Sequence, residues 1–207
     1  MKYIVLIPDG AADDPRPELG GRTPLQAANT PNFDRLARSG TVGLSRTIPD
    51  GFAPGSDVAN MCVLGYDPHL YYTGRAPLEA ASLGIDLGEG EVAFRCNLVC
   101  VEKGIMTDFS AGHIDSGSAS AIIESLQESL GSNDCRFFPG LSYRHILVSS
   151  GRALHAHCTP PHDITGKSIK PSLPSGEDSE WLRGLMKKSA EILGGHPVNL
   201  LRVSEGK

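Results

Sequence analysis

The unbroken apolar run Tyr3–Ile7 constrains this chain more than any other stretch. A strand without polar alternation has no face to give to water, so it fits the centre of a parallel sheet covered on both sides. The run stops at Pro8-Asp9-Gly10. Asp9 is thereby expected just past the strand's carboxyl end, where open α/β sheets collect their ligands. Pro8 and Asp9 also leave the run too short for a signal-peptide core or a membrane span, and no other window is better suited.

Downstream segments support an α/β class. The stretch TPNFDRLARSG reads as a helix with Thr30 as N-cap, Pro31 in the first position, Phe33, Leu36 and Ala37 on one face, and Gly40 as terminator. TVGLSRTIP, residues 41–49, reads as a second strand. Strand, helix and strand in succession are the start of a layered α/β architecture.

The next stretch, GFAPGSDVANM, brings Ser56 to the front of another helix, with Val58, Met61, Cys62 and Leu64 at helical spacing and Gly65 as a stop. Two readings of Ser56 stand side by side. As an N-cap its hydroxyl accepts a backbone N–H two or three residues on, and local context alone favours this. As a nucleophile it is a hydroxyl at a positive helix end, where a phosphoryl group meets free N–H donors. Asp9 has the same double aspect: a turn-former in a PDG turn, or a carboxylate ligand for a hard divalent cation. Asn60, one turn beyond Ser56, is either an exposed helix polar or a hydrogen-bond donor to a phosphate oxygen.

GRAPLEAASLG, residues 74–84, reads as a further helix, and near residue 85 the texture changes. EVAFRCNLVCVEKGIMTDFSAGH reads as two strands around a turn at Lys103-Gly104. An amphipathic helix is expected from about Ser116 to Gly131, and CRFFPG and SYRHILVSSG as two more strands. PSLPSG, residues 171–176, resembles a linker. It precedes a long helix with Leu182, Leu185, Met186, Ile192 and Leu193 inward and Gly194 as C-cap, and HPVNLLRVSEGK opens like a strand. The expected organisation is a core segment over 1–85, an inserted α+β unit over 86–172, and a helix and strand over 173–207 that return to the core.

Composition removes some function classes. A net charge of -5 with no dense Lys/Arg run argues against a nucleic-acid surface. Five cysteines, odd in number and without C-x-x-C spacing, fit a reduced cytoplasmic protein rather than a disulfide framework. HAHCTPPHD, residues 155–163, gathers nitrogen and sulfur donors, but its spacing fits no standard zinc finger, and it reads as a loop near the domain junction. Arg95, His113, Arg144 and His145 are candidates for holding an anionic ligand. Guanidinium groups pair bidentately with carboxylate and phosphate, and imidazole donates to phosphate or moves a proton between hydroxyls. A surface or strand-pairing role is open for each.

IPDG (7–10), TPLQAANTPNFDRLARSG (23–40), PGSDVANMCVLGYDP (54–68) and YYTGRAPLEAASLGI (71–85), followed by AFRCNLV, SAGHI, FFPGLSYRHILV, CTPPHDITGK and HPVN, cover essentially the whole chain. In these blocks the chain resembles the archaeal-type cofactor-independent phosphoglycerate mutases of the alkaline phosphatase superfamily. The resemblance implies an alkaline-phosphatase-like α/β core with an inserted α+β substrate-binding domain. It implies interconversion of 3-phosphoglycerate and 2-phosphoglycerate through a phosphoserine, with two divalent ions (Mn, Mg, Zn or Co) and no bisphosphoglycerate. Ser56 matches the nucleophile, itself a metal ligand, and Asp9 a metal ligand. Arg95, His113, Arg144, His145 and Asn60 would serve the substrate.

The departure is the rest of the metal site. In the family an Asp-x-x-x-His element and an Asp-His pair complete it, and neither occurs here; Asp163 follows His162 in reversed order. The expectation is therefore the N-terminal part of a mutase, with its missing C-terminal half as a candidate partner, no membrane or nucleic-acid partner, and no activity alone. Two alternatives are a phosphatase or other phosphoryl-transfer enzyme using Ser56, and a non-catalytic module that binds phosphoglycerate or a protein.

Overall fold

The computed structural model describes residues 1–8 and 10–206. The expectation for Asp9 lies outside the described residues. The chain divides into two compact units, Met1–Tyr72 and Thr73–Lys207. The division falls before the helix at residue 75, and residues 173–206 belong with the second unit.

Among the described residues the first unit carries four α-helices, α1 (Pro24–Ala27), α2 (Pro31–Ser39), α3 (Ser56–Val63) and α4 (Pro68–Tyr71). Their starts follow local chemistry: a proline opens α1, α2 and α4, and a reciprocal Thr23–Gln26 capping box closes the first turn of α1. α2 ends at Gly40, as its sequence predicts. Two expectations fail here. Neither Tyr3–Ile7 nor residues 41–49 form a strand, and Tyr3 and Ile4 are 84% and 91% exposed. An apolar run becomes a central strand only when neighbours on both edges take its N–H and C=O groups, and no described segment of this unit pairs with it. Aromatic contacts organise the other end: Phe52 meets His69 and Tyr72 edge-on, with ring centroids 4.9 and 5.9 Å apart, and the Tyr72 hydroxyl donates to the Asp57 carboxylate.

The second unit is a sandwich of helices on an antiparallel sheet. Strands β1 (Glu91–Asn97), β4 (Cys135–Phe138) and β5 (Arg144–Ser150) pair in the order β1-β5-β4. β2 (Cys100–Glu102) and β3 (Ile105–Asp108) form a separate hairpin, turning at Lys103-Gly104 with φ of 49° and 78°. The stretch read as two strands is therefore three. β1 and β2 separate at Leu98 and Val99, where the Leu98 N–H makes a last bond in register with the β5 side, to the Tyr143 carbonyl at 2.9 Å.

Helix α5 (Arg75–Ser82) covers one sheet face, where Ala80 packs with Ala93, Ile146 and Val148. Helix α6 (Ser116–Leu130) covers the other, where Ile122, Ile123 and Leu126 pack with Phe137 and Leu147. Asp115 caps α6 by accepting from Ser118 N at 2.9 Å. Ile123 is fully buried, so Ile123→Ala should leave a cavity and lower the unfolding free energy by about 2–5 kcal/mol, read from denaturant curves.

Helix α7 (Ser179–Gly194) brings Leu182 into this core, but Met186, expected inward, is 48% exposed. The segment before α7 is not a free linker. His157 and Ser175 exchange backbone bonds of 2.8 and 3.0 Å, and Arg183 Nε donates to the Pro174 carbonyl at 2.7 Å. The expected terminal strand is instead helix α8 (Pro197–Ser204). Pro197 in the first helical position presets its φ. His196 Nδ1 accepts from Val198 N, leaving Nε2–H to donate to Ser125 Oγ at 3.0 Å and tie α8 to α6. All five cysteines are free thiols, and no described helix is long and apolar enough to cross a membrane.

Candidate active site

In the first unit, α3 begins at Ser56 with Gly55 as its N-cap. Ser56 is thus the first helical residue rather than the cap, and it is exposed. At this position a hydroxyl lies beside the N–H groups that the first turn leaves without intrahelical partners. Asn60, four residues on and half-buried, shares its helix face.

The other candidates lie in the second unit, where strand geometry sorts them. In the β1–β5 ladder Arg95 opposes Ile146, Cys96 opposes His145, and Asn97 opposes Arg144. Opposed residues share a face and successive residues alternate. Arg95 and Arg144 therefore face the α5 side, and Arg95 Nε reaches Glu79 of α5 at 3.1 Å. Arg144 is exposed, with its guanidinium 5.7 Å from the centre of the Tyr143 ring. His145 points to the opposite side. The candidates on these two strands therefore do not all share one face, because neighbours on a strand alternate.

His145 is 1% exposed. Its Nδ1 accepts from Gly140 N at 3.0 Å, and burial pushes its pKa down to about 4. The side chain stays neutral at physiological pH and pins the β4–β5 connection. The unfolded chain takes up a proton below its ordinary value of 6.5 while the folded one refuses it until about 4. Stability carried by this group is complete above pH 6.5 and is lost as the pH falls toward 4. The unfolding free energy of this unit should accordingly be roughly 2 kcal/mol lower at pH 5 than at pH 7, and His145→Gln should flatten that slope in denaturant titrations.

His113 is exposed in the loop between β3 and α6, a segment under local strain: Ala111 and His113 have φ of 50° and 51°. The Asp108 carboxylate holds it by accepting from Ser110 Oγ, Ser110 N and Gly112 N, each at 2.7 Å, and these bonds keep its pKa below the usual carboxylate value. Arg202 of α8 donates to the Ala111 carbonyl from the other side. The loop is also joined to the β4–β5 connection that leads into Arg144. Ser142 Oγ donates to Ile114 O at 2.6 Å, Ser142 N to Ser116 Oγ at 3.0 Å, and Phe109 packs edge-on against Tyr143. Arg95, Arg144 and the His113 loop thus gather at one end of the three-stranded sheet. A cavity of about 220 Å³ opens beside α5, with Glu79, Ser82, Gly140, Leu141, Arg144 and His145 among its lining residues; Arg95 and His113 do not line it. A second cavity, about 180 Å³, lies beyond the far end of β5 and contains none of the candidates.

Two residues at this end are absent from the sequence-based candidates, Glu79 and Asn97. Period-two alternation from Arg95 places Asn97 on the same face; nothing local marks Glu79 as an ion-pair partner.

Among the described residues no group of three or more His, Cys, Asp or Glu side chains stands close enough to hold a metal ion. The described donor set does not fit a two-metal site, and HAHCTPPHD forms no zinc cluster. Burial, with Cys135 beside it, pushes the Cys96 thiol up to about 12.

Comparison with known proteins agrees with the sequence blocks. A family model described as 2,3-bisphosphoglycerate-independent phosphoglycerate mutase matches residues 37–199. A protein of that name from Methanosarcina barkeri is 55% identical over all of this chain and 52% of its own length. Among solved structures, the cofactor-independent phosphoglycerate mutase from Thermoplasma acidophilum matches with a TM-score of 0.57 and 32% identity, over 96% of this chain and 54% of that one. A Pyrococcus horikoshii protein matches with a TM-score of 0.68 and 30% identity, over 96% of this chain and 46% of that one. The chain spans about half the length of the curated relatives it matches. With a family model over most of its length and relatives aligned over all of it, the chain belongs to the 2,3-bisphosphoglycerate-independent phosphoglycerate mutase family.

Proposed function

We propose that these residues are the N-terminal part of a mutase that interconverts 3-phosphoglycerate and 2-phosphoglycerate through a phosphoserine on Ser56. The observation that carries the reading is an exposed serine at the first position of α3, in a chain that curated mutases match from end to end. In the proposed cycle Ser56 Oγ bonds to phosphorus as the phosphorus–oxygen bond to C3 breaks. The proton lost by the serine balances the one gained by the C3 oxygen. The C2 hydroxyl then takes the phosphoryl group, and Ser56 recovers its proton. The N–H groups of the first turn of α3, with Asn60 behind them, stabilise the charge that develops on the phosphoryl oxygens.

Arg95 and Arg144 are the proposed partners of the substrate's carboxylate and phosphate, and His113 the group that moves a proton between hydroxyls. His145 supports the site from behind the sheet. The finer architecture belongs to the same proposal: an alkaline-phosphatase-like core, residues 86–172 as the substrate-binding insertion, and cytoplasmic residence. So do two divalent ions in the complete polypeptide, toward which Asp9 and Ser56 would be this chain's contribution.

The test is complementation. The 207-residue chain alone should show no mutase turnover and bind manganese weakly. Supplying the remaining half found in the longer relatives, in cis or as a separate chain, should restore both. Full turnover by the isolated chain would overturn the reading of these residues as one part of the enzyme.

A further inference from the structure

Asn97 ends β1, and its side-chain oxygen is buried without a hydrogen-bond partner, one of two such atoms among the described residues. Buried polar atoms in folded proteins nearly always have partners, so an orphan calls for an explanation. The surroundings of this one are specific. Arg144 lies directly opposite Asn97 in the ladder, and Arg95 lies two residues back along the same strand. The amide and both guanidinium groups therefore face the same side of the sheet. Two guanidinium groups select an anionic ligand, and an acceptor between them selects one that also brings a donor. At neutral pH the carboxylate and phosphate of phosphoglycerate are essentially acceptors, whereas its free hydroxyl is a donor.

We propose that Asn97 is the residue that recognises the substrate's hydroxyl: its side-chain oxygen accepts a hydrogen bond from the glycerate hydroxyl while Arg95 and Arg144 hold the anionic ends. The inference rests on the phosphoglycerate reading above. It adds a specificity determinant, because a site built to bond a hydroxyl leaves its own buried acceptor unpaired when an analogue lacks that group. Asn97 is absent from the candidates that the sequence suggests, and its role is selection rather than chemistry.

The test is a calorimetric titration of the complete polypeptide with two ligands, 3-phosphoglycerate and 3-phosphonooxypropanoate, which lacks only the C2 hydroxyl. The wild-type chain should prefer the hydroxyl-bearing ligand by about tenfold. Asn97→Leu, which keeps the side chain's size, should bind both ligands alike, at the affinity of the deoxy compound. Its thermal midpoint should equal or exceed that of the wild type, because the unpaired acceptor is gone. A purely structural asparagine would instead give a lowered midpoint and an unchanged preference, and that result would overturn the inference. Should Asn97→Leu fail to fold, Asn97→Ser reads the same ratio. Equal binding of the two ligands by the wild type would sink the inference and leave the phosphoglycerate reading standing. Binding of neither ligand would remove both.

Discussion

Ser56→Ala in the complete polypeptide is expected to abolish the phosphoenzyme and reduce mutase turnover by roughly 10^4-fold or more, since no second hydroxyl on α3 is placed to store the phosphoryl group. The fold should be nearly indifferent. Gly55, not Ser56, is the N-cap of α3, and Ser56 is exposed at the first helical position, so the change should cost about 1 kcal/mol or less. Turnover with phosphoglycerate and thermal unfolding, measured side by side, separate the two effects. A large loss of stability would mean that Ser56 holds the helix rather than the phosphate.

Arg144→Ala should weaken transition-state binding in the complete polypeptide by about 2–4 kcal/mol, as for a lost partner of a desolvated charge pair. The loss appears in kcat/KM as roughly 30- to 1000-fold. Arg144 stacks on Tyr143 and has no carboxylate partner within salt-bridge distance among the described residues, so its removal breaks no internal ion pair. Arg95 is the contrasting case. Its guanidinium already pairs with Glu79 across the α5 interface, and Arg95→Ala should cost both substrate affinity and the attachment of α5 to the sheet. Steady-state kinetics on both variants, with unfolding curves alongside, should show a clean loss of function for the first and a mixed loss for the second.

Elements whose signals are local are legible in the sequence. α2, with Thr30, Pro31 and Gly40 in the expected places, and α6, with its row of isoleucines and leucine, follow from capping and periodicity alone. The Lys103-Gly104 turn and β4 and β5 are of the same kind. The mixed α/β character is likewise readable.

Features that depend on distant partners are not. Tyr3–Ile7 has the composition of a buried strand, but pairing is supplied by other segments, and nothing in five residues says whether they are at hand. α8 replaces the expected strand because Pro197 and His196, which are start signals for a helix, outweigh the apolar residues beyond them. In the site, Arg144 and His145 are consecutive on a strand, and the period-two rule alone sets them on opposite faces. Ser56 lies within one residue of its expected helix position. The tie between the His113 loop and the β4–β5 connection rests on Ser142, whose bonds to Ile114 and Ser116 no motif predicts.

The central claim is that Ser56 carries the phosphoryl group between the two carbons. Mass spectrometry tests it directly: the complete polypeptide is incubated with phosphoglycerate and manganese, quenched and digested, and the peptide containing Ser56 is examined for an added phosphate. The account predicts an adduct on Ser56 that disappears in Ser56→Ala. An adduct on a different residue, or turnover that continues in Ser56→Ala, would contradict it.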